Sequence, residues 1–281
     1  MRLERTGEVQ DQSFFGSDSA TWHIGSEAIV NIGGGRALLM QLAHPLVAAG
    51  VSQHSRHMSD PFSRAMSTFM LGQMLAFGSI KTTHKAARII NRLHACVIGK
   101  LPAPAGDYAA NTTYSARDPD LLLWVHATIV DTVLVLYQML IGTPSWQEQD
   151  AYYQESKRVA RLLGLSASHM PESIDDLRQY IYTMVHSNRL SATPQARQLA
   201  RQVLFPPSPT AWRPLMYVNL YITTALLPPP IRQMYDLGWG PKRQLSFKLL
   251  TTGLKPIIAH LPPTLRLLPV TRRLMLQGKV A

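Results

Sequence analysis

GGGRALLMQLAHPLVAAGVSQHSRHMSDPFSRAMSTFMLGQMLAFGSIKTTHKAARIINRLHACVIGK is the stretch from Gly33 to Lys100, and it decides the fold. It predicts three consecutive helices. It also holds five of the ten histidines, which are His44, His54, His57, His84 and His94. Because imidazole ligates metals near neutral pH, five histidines in under a quarter of the chain predict a role beyond packing for some of them.

Glycine, proline and capping residues set the helix boundaries in this stretch. The glycines at 33–35 do not fit a dinucleotide fingerprint, so we expect them to end a short preceding helix and to permit close packing. Pro45 is expected to kink the first helix because it removes a backbone donor. Asp60-Pro61 is a helix start, with a capping side chain followed by proline at the first helical position. The three predicted helices span about 36–50, 61–77 and 82–98.

The rest of the chain continues the helical pattern. Asp118-Pro119 starts a long helix that is apolar nearly all round and carries His126. Its length suits a membrane span, but the polar residues within it favour a buried core helix. Ser145 and Glu148 have the spacing of a capping box, which predicts the start of the next helix. Since no convincing alternating strands occur, the predicted class is all-α.

Composition favours one globular multi-helix domain over residues 1–281, of which 1–20 are expected to be partly disordered. Hydrophobic residues make up 46% and charged residues only 16% of the chain, and no linker-like composition interrupts it. The single cysteine, Cys96, excludes an intramolecular disulfide or a multi-cysteine metal site within one chain. The N-terminal residues lack an apolar signal region, so we expect a cytoplasmic protein.

The net charge of +11 is concentrated at the C-terminus. Residues 228–281 form a basic helical part with nine Lys/Arg and one acid, Asp236, which gives +8. Its basic residues alternate with leucine, isoleucine and proline and lack interleaved aromatics, so we expect no nucleic-acid partner. A solvated face is one interpretation, and a peripheral contact with a membrane surface is the other.

Histidine, arginine and threonine on apolar helices are the candidate site residues, because acids are too scarce for a carboxylate-bridged di-iron site. A haem needs an apolar slot, an axial nitrogen ligand and basic partners for its propionates. His94 lies in the apolar stripe of the third helix, while Arg64 and Thr68 stack on one face of the second. A hydrogen-bonded core histidine is the ordinary interpretation of such a position, and a solvated residue that of Arg64. The alternative is His94 as the axial ligand, with Arg64 and Thr68 on the opposite side.

The other histidines leave alternatives open. His126 is a second candidate for the axial ligand, or a supporting residue bonded to Asp131. His44, His54 and His57 are expected mainly in packing or at the surface, with His44 a further candidate for contact with the cofactor. His44, His54 and His126 together are an alternative, non-haem iron site.

Five motifs carry a resemblance to a known family. They are GGGRALLMQLAHPLVAAGVSQHS from Gly33, DPFSRAMST from Asp60, RLHACVIG from Arg92, YSARDPDLLLWVHATIVDT from Tyr114 and LLPPPIRQMYDLGW from Leu226. Through these motifs, over about residues 25–275, the chain resembles the bacterial proteins related to the mycophenolic-acid pathway oxygenase and to the catalytic domain of rubber oxygenase, the latex-clearing protein.

The resemblance implies a globin-like helical core around b-type haem. It also implies an oxygenase that combines dioxygen with a hydrophobic substrate, for example an unsaturated or isoprenoid-like one. His94 takes the place of the proximal ligand, with His126 as the alternative. Arg64 and Thr68 match the distal Arg-x-x-Lys-Thr stretch of rubber oxygenase.

Two departures from the family pattern concern the distal side. Ser67 stands where rubber oxygenase has its lysine, so the sixth coordination position is expected to be open or water-bound. No acid matches the proposed base of the rubber enzyme, and His54 is the residue expected in that region. Rubber is therefore not the expected substrate. The rival hypothesis is a non-catalytic haem- or lipid-binding protein at a membrane surface.

Overall fold

The structure is a computed structural model that describes residues 12–54, 61–205 and 212–279, apart from the side chains of 61–65, 263 and 275–279. The described residues form an all-α single domain, as the sequence predicts. The α-helices are α1 (Ala20–Gly25), α2 (Gly34–Leu42), α3 (Pro45–His54), α4 (Pro61–Phe77), α5 (Ile80–Ala95), α6 (Pro119–Leu140), α7 (Trp146–Leu162), α8 (Ile174–Val185), α9 (Pro194–Leu204), α10 (Arg213–Leu226), α11 (Pro229–Met234), α12 (Pro241–Ala259), α13 (Pro263–Arg266) and α14 (Pro269–Lys279).

Two short 3-10 helices and one small sheet complete the described elements. The 3-10 helices are Ala28–Gly33 and Ala167–His169. The strands β1 (Ile98–Lys100) and β2 (Thr113–Ser115) pair antiparallel, with Ile98 opposite Ser115. The sequence did not predict this hairpin, and it shortens the third helix of the opening stretch, which ends at Ala95.

The helix α6 is the centre of the fold. It packs against α2, α7, α8, α12 and the first 3-10 helix, and Trp124 and Leu136 on it are fully buried. Among the described helices it alone is long and apolar enough to cross a membrane, yet more than half of that apolar window is buried inside the protein. The predicted core helix is confirmed, and its predicted start holds: Asp118 accepts a hydrogen bond from the backbone N–H of Asp120.

The glycines at 33–35 end a short helix and pack closely, as the sequence predicts. The first 3-10 helix ends at Gly33 and is followed directly by α2, with right-handed helical dihedrals at Gly33 and Gly34. A Cβ on Gly33 would overlap the side chain of Leu136 on α6, and one on Gly35 would overlap Thr223 on α10. Glycine is needed here because two neighbouring helices approach the backbone.

The predicted kink at Pro45 is a complete break between α2 and α3. The amide of His44 bonds to the carbonyl of Gln41 at 3.1 Å, a tight closing turn, and Pro45 then occupies the first position of α3. Proline has no amide to offer the preceding turn but suits a helix start. His44 therefore lies at a corner between two helices.

Both ends of the described chain are packed onto the fold. Phe15 is buried against Trp22 and Phe77. The partial disorder expected in residues 1–20 stays a prediction, since 1–11 lie outside the described residues. In the basic C-terminal part, α14 lies on α4, where Thr271 donates a buried hydrogen bond of 2.8 Å to Gln73.

Candidate functional site

The helices α4 and α5 form a hairpin that positions the predicted haem-binding residues. They are joined by the turn at Gly78 and Ser79, and they pack on each other. Ser79 caps α5 by accepting a hydrogen bond from the amide of Thr82 at 3.2 Å. Arg64 lies 13 residues before the end of α4 and His94 lies 14 residues after the start of α5. Both are thus about 20 Å along their helices from the turn, at the open end of the hairpin.

His94 is half-buried in the last turn of α5, and its ring is incompletely satisfied. Its Nδ1 atom is buried and forms no hydrogen bond with any described atom. Burial lowers the pKa of His94, and the nearby charge of Arg117 lowers it further. The imidazole is therefore neutral near pH 7, which is the form that ligates a metal. A buried ring nitrogen without a hydrogen-bond partner is a candidate position for a ligand or an ordered water.

Apolar side chains around the open end of the hairpin are exposed. On α4 these are Met66 and Met70, and next to His94 they are Leu93 and Ile98. Single exposed apolar residues need no explanation, but four on three adjoining elements form a candidate binding surface. This set was not found from the sequence, because helical periodicity alone assigns such residues to the core.

Thr68 is exposed on α4 beside these apolar residues, and so is Ser67. Arg64 lies in the first turn of α4, but its side chain is outside the described part of the structure. The distal roles of Arg64 and Thr68 remain predictions that rest on the shared helix face.

His54 is the last residue of α3, and α3 packs against β1 and β2. Its Nδ1 lies 3.1 Å from the carbonyl of Gly50, and its ring meets Tyr114 edge-on with the centroids 6.2 Å apart. Because β1 begins just after α5, this packing brings the end of α3 to the same side of the molecule as the end of α5. His57 lies outside the described residues.

His126 differs from His94 in being satisfied. Its Nε2 lies 3.2 Å from the hydroxyl of Ser156 on α7. Burial, and then the charge of Lys157, lower its pKa to about 4. It does not bond to Asp131, so the predicted supporting pair is wrong.

Asp131 instead pairs with Arg36, which the sequence analysis missed. The guanidinium of the fully buried Arg36 bonds to Asp131 and to Thr132 on α6, both at 2.5 Å, and to the carbonyl of Leu226 at 2.9 Å. Each of the three guanidinium nitrogens therefore donates to an acceptor. A buried ion pair that is satisfied in this way fixes the register of two helices.

His44 lies in a separate polar network. Its Nε2 is 3.1 Å from the hydroxyl of Tyr108, to which Arg189 also donates at 3.3 Å. Arg189 in turn pairs with Asp120 at 3.1 Å. Burial, then Arg189, lower the pKa of His44 to about 4. These contacts hold His44 at its corner through Nε2, while its Nδ1, like that of His94, is buried without a hydrogen-bond partner among the described residues.

The structure does not assemble the non-haem iron alternative. His44, His54 and His126 each have different partners on different elements, and the described residues contain no cluster of three or more His, Cys, Asp or Glu side chains suited to a metal ion. A surface groove of about 430 Å³ lies elsewhere, beside α3 and the start of α9. None of the predicted site residues lines it; the groove is lined by Pro45, Ala49, Ser52, Gln53, Leu101, Pro102, Thr193 and Gln195.

Arg117 is the second residue that the sequence analysis missed. It precedes α6 and donates to the carbonyl of Asn91 on α5 at 3.2 Å, so its charge is held near His94. Its position in the motif YSARDP, just before a helix start, was the available signal.

Comparison with known proteins agrees with the resemblance seen in the sequence. Residues 21–255 match the family described as ER-bound oxygenase mpaB/B'/Rubber oxygenase, catalytic domain. Two relatives are the uncharacterized protein Mb2261 of Mycobacterium bovis and the uncharacterized protein Rv2237 of Mycobacterium tuberculosis. Each is 29% identical over an alignment of 231 residues, and the alignment covers 78% of this chain and 84% of theirs. No solved structure matches the chain significantly. The chain belongs to the family of the mpaB and rubber oxygenase catalytic domains.

Proposed function

We propose that the chain is a haem b-dependent oxygenase that combines dioxygen with a hydrophobic substrate of unsaturated or isoprenoid-like character. Family membership supports the oxygenase class. The observation that carries the haem is His94, a half-buried imidazole at the open end of a helix hairpin whose Nδ1 lacks a described partner.

The residues at the open end of the α4–α5 hairpin fit a haem in three respects. The lowered pKa of His94 keeps its ring nitrogen lone pair free for iron. Arg117 supplies a cation near His94, as a propionate requires. Met66 and Met70 offer exposed apolar surface on the adjoining helix, and the porphyrin face needs such surface.

A bound b-type haem supplies an iron centre at which dioxygen reacts. The residues of this chain would bind it and shape its surroundings. His94 would hold the iron from one side. On α4, Thr68 presents a hydroxyl donor, while Ser67 is too short to close the position that a lysine would fill. The flexible side chains of Met66 and Met70 suit contact with an apolar substrate.

The test is the absorption spectrum of protein purified from haem-supplied cells. We expect a Soret band in the wild type, its loss in His94→Ala and its retention in His126→Ala. His84→Ala is the matched control, because His84 is an exposed residue of the same helix. A band lost only in His126→Ala would exchange the roles of the two histidines, and a wild type without a band would overturn the proposal.

Substrate class is tested separately by dioxygen uptake of the haem-loaded protein. Squalene is an isoprenoid polyene, and squalane is its saturated counterpart of the same length. We expect uptake with squalene and none with squalane. Equal rates with both, or none with any unsaturated apolar compound, would contradict the proposed substrate class.

A further inference from the structure

The outer side of α12 is apolar although the helix is already packed on its inner side. Phe247 and Ile258 are its buried residues and belong to the main core cluster, and the helix packs against α6. Leu245 and Leu249 are one turn apart on the opposite side, and they are 59% and 66% exposed. A helix with apolar residues on both sides needs a covering on each, and the described residues provide one only on the inner side.

The start of α10 is also apolar and exposed to solvent. The exposed residues are Leu215, Tyr217 and Val218, together with Trp212 just before the helix, and Tyr217 is 63% exposed. Tryptophan and tyrosine with an apolar body and a polar tip are enriched where a protein meets the membrane–water interface.

The two apolar surfaces are neighbours. Tyr221 lies one turn after Tyr217 on α10, and its hydroxyl bonds to Ser246 on α12 at 2.7 Å. Ser246 directly follows Leu245. One turn of helix therefore separates the exposed residues of α10 from those of α12, and we call the combined surface the α10–α12 face.

Only basic residues carry the charge on these two helices. They contain Arg213, Lys242, Arg243, Lys248 and Lys255 and no aspartate or glutamate. None of the four cations on α12 forms an ion pair within the described part of the chain. By contrast, Arg266 on α13 pairs with Glu27, so the cations of α10 and α12 differ from it in having no acid partner among the described residues.

We propose that the α10–α12 face docks on an anionic lipid bilayer. Leu245, Leu249 and the aromatic residues of α10 would enter the interface, while the lysines of α12 would approach lipid phosphates. A second copy of the chain fits less well, since a twofold contact would place five cations against five with no acid between them. The proposal sharpens the sequence-based expectation by confining membrane contact to α10 and α12, and it does not depend on the haem.

The experiment is co-sedimentation of the full chain with vesicles. Vesicles of phosphatidylcholine mixed with phosphatidylglycerol are compared with vesicles of phosphatidylcholine alone. We expect binding to the mixed vesicles, weaker binding to the neutral ones, and loss of binding at high salt. No binding to the mixed vesicles would overturn the proposal.

Variants separate the apolar from the electrostatic contribution. Leu245→Ser with Leu249→Ser is expected to lower the partition coefficient about a hundredfold, or about tenfold for each leucine. Lys242→Gln and Lys248→Gln are each expected to lower it about fivefold on anionic vesicles, with no loss on neutral ones.

The matched control is Ile98→Ser with Tyr182→Ser, because these residues are 64% and 61% exposed away from the α10–α12 face. This control should bind as the wild type does, and equal loss of binding in it would contradict the assignment. A concentration-dependent dimer that light scattering detects in the wild type and not in the Leu245→Ser, Leu249→Ser variant would assign the face to a second copy and overturn the proposal. Thermal unfolding of each variant checks that the fold is kept.

Discussion

Two regions of the molecule differ in whether their buried polar groups have hydrogen-bond partners. One is the contact between α2 and α6, and the other is the open end of the α4–α5 hairpin. In the first, Arg36 is buried and every polar end of its guanidinium has an acceptor, including Asp131. In the second, the buried Nδ1 of His94 has none among the described residues. A group that the fold leaves unsatisfied costs stability, and a ligand can recover that cost. The comparison indicates that one region holds the molecule together, and it supports the proposal that the other receives a ligand.

The largest effect on stability is expected from a substitution that breaks the contact between α2 and α6. Arg36→Met would leave the carboxylate of Asp131 with no cation, so we expect the free energy of unfolding to fall by about 3–5 kcal/mol. Urea denaturation measures it. The control is Arg178→Met, which removes the exposed pair with Asp175 and should cost less than about 1 kcal/mol. Similar losses in both variants would contradict the central role of the buried pair.

A smaller effect in the same region comes from adjacent glycines. Gly33→Ala would push a Cβ into Leu136, so we expect a loss of about 1–3 kcal/mol in the free energy of unfolding. Gly34 has open space around it and helical dihedrals, so Gly34→Ala should be neutral or stabilising by about 0.4–1 kcal/mol. If urea denaturation showed that both substitutions change the free energy of unfolding in the same direction, the close approach of α6 would not be the cause of the loss.

Acid should destabilise the folded state, because its buried histidines are kept neutral. The pKa of His44 falls from 6.5 in the unfolded chain to about 4 in the fold. The unfolded state therefore binds more protons between these values, so stability is complete above pH 6.5 and is lost as the pH falls toward 4. In His44→Gln the fall in melting temperature over this window should be shallower. The control is Tyr108→Phe, which keeps the histidine and should keep the wild-type slope of melting temperature against pH. Equal slopes in the wild type and in His44→Gln would refute the assignment.

The smallest effect on stability is expected at the open end of the hairpin. Met66→Ser with Met70→Ser removes two exposed apolar side chains, and the free energy of unfolding should change by less than about 0.5 kcal/mol. Haem affinity, measured by titration, should fall. Stability lost with unchanged haem affinity would mean that these methionines belong to the core and not to the site.

Local signals in the sequence predicted the helices, but the sequence did not predict ion pairs between residues far apart in the chain. The start at Asp118-Pro119 and the capping box of Ser145 and Glu148 are confirmed, because a cap depends on residues within one turn. The ion pair of Arg36 and Asp131 joins residues 95 apart in the chain, and no local pattern marks such a contact.

The candidate site stays a prediction. The stripe on α5 predicted a buried His94, which is half-buried in the structure, but the same periodicity applies to His126, and only their partners separate the two. Ser156 satisfies His126, whereas His94 lacks a described partner. The strands β1 and β2 were missed because three-residue strands carry too little alternation to be recognised.

The most direct test of the central claim is imidazole rescue of a cavity variant. Haem is titrated into His94→Gly and His126→Gly, each with and without added imidazole, and the Soret band is recorded. The account predicts that His94→Gly loses the wild-type spectrum and regains it with imidazole, while His126→Gly needs no rescue. Rescue confined to His126→Gly, or a wild-type spectrum in His94→Gly without imidazole, would contradict the assignment of His94 as the haem ligand.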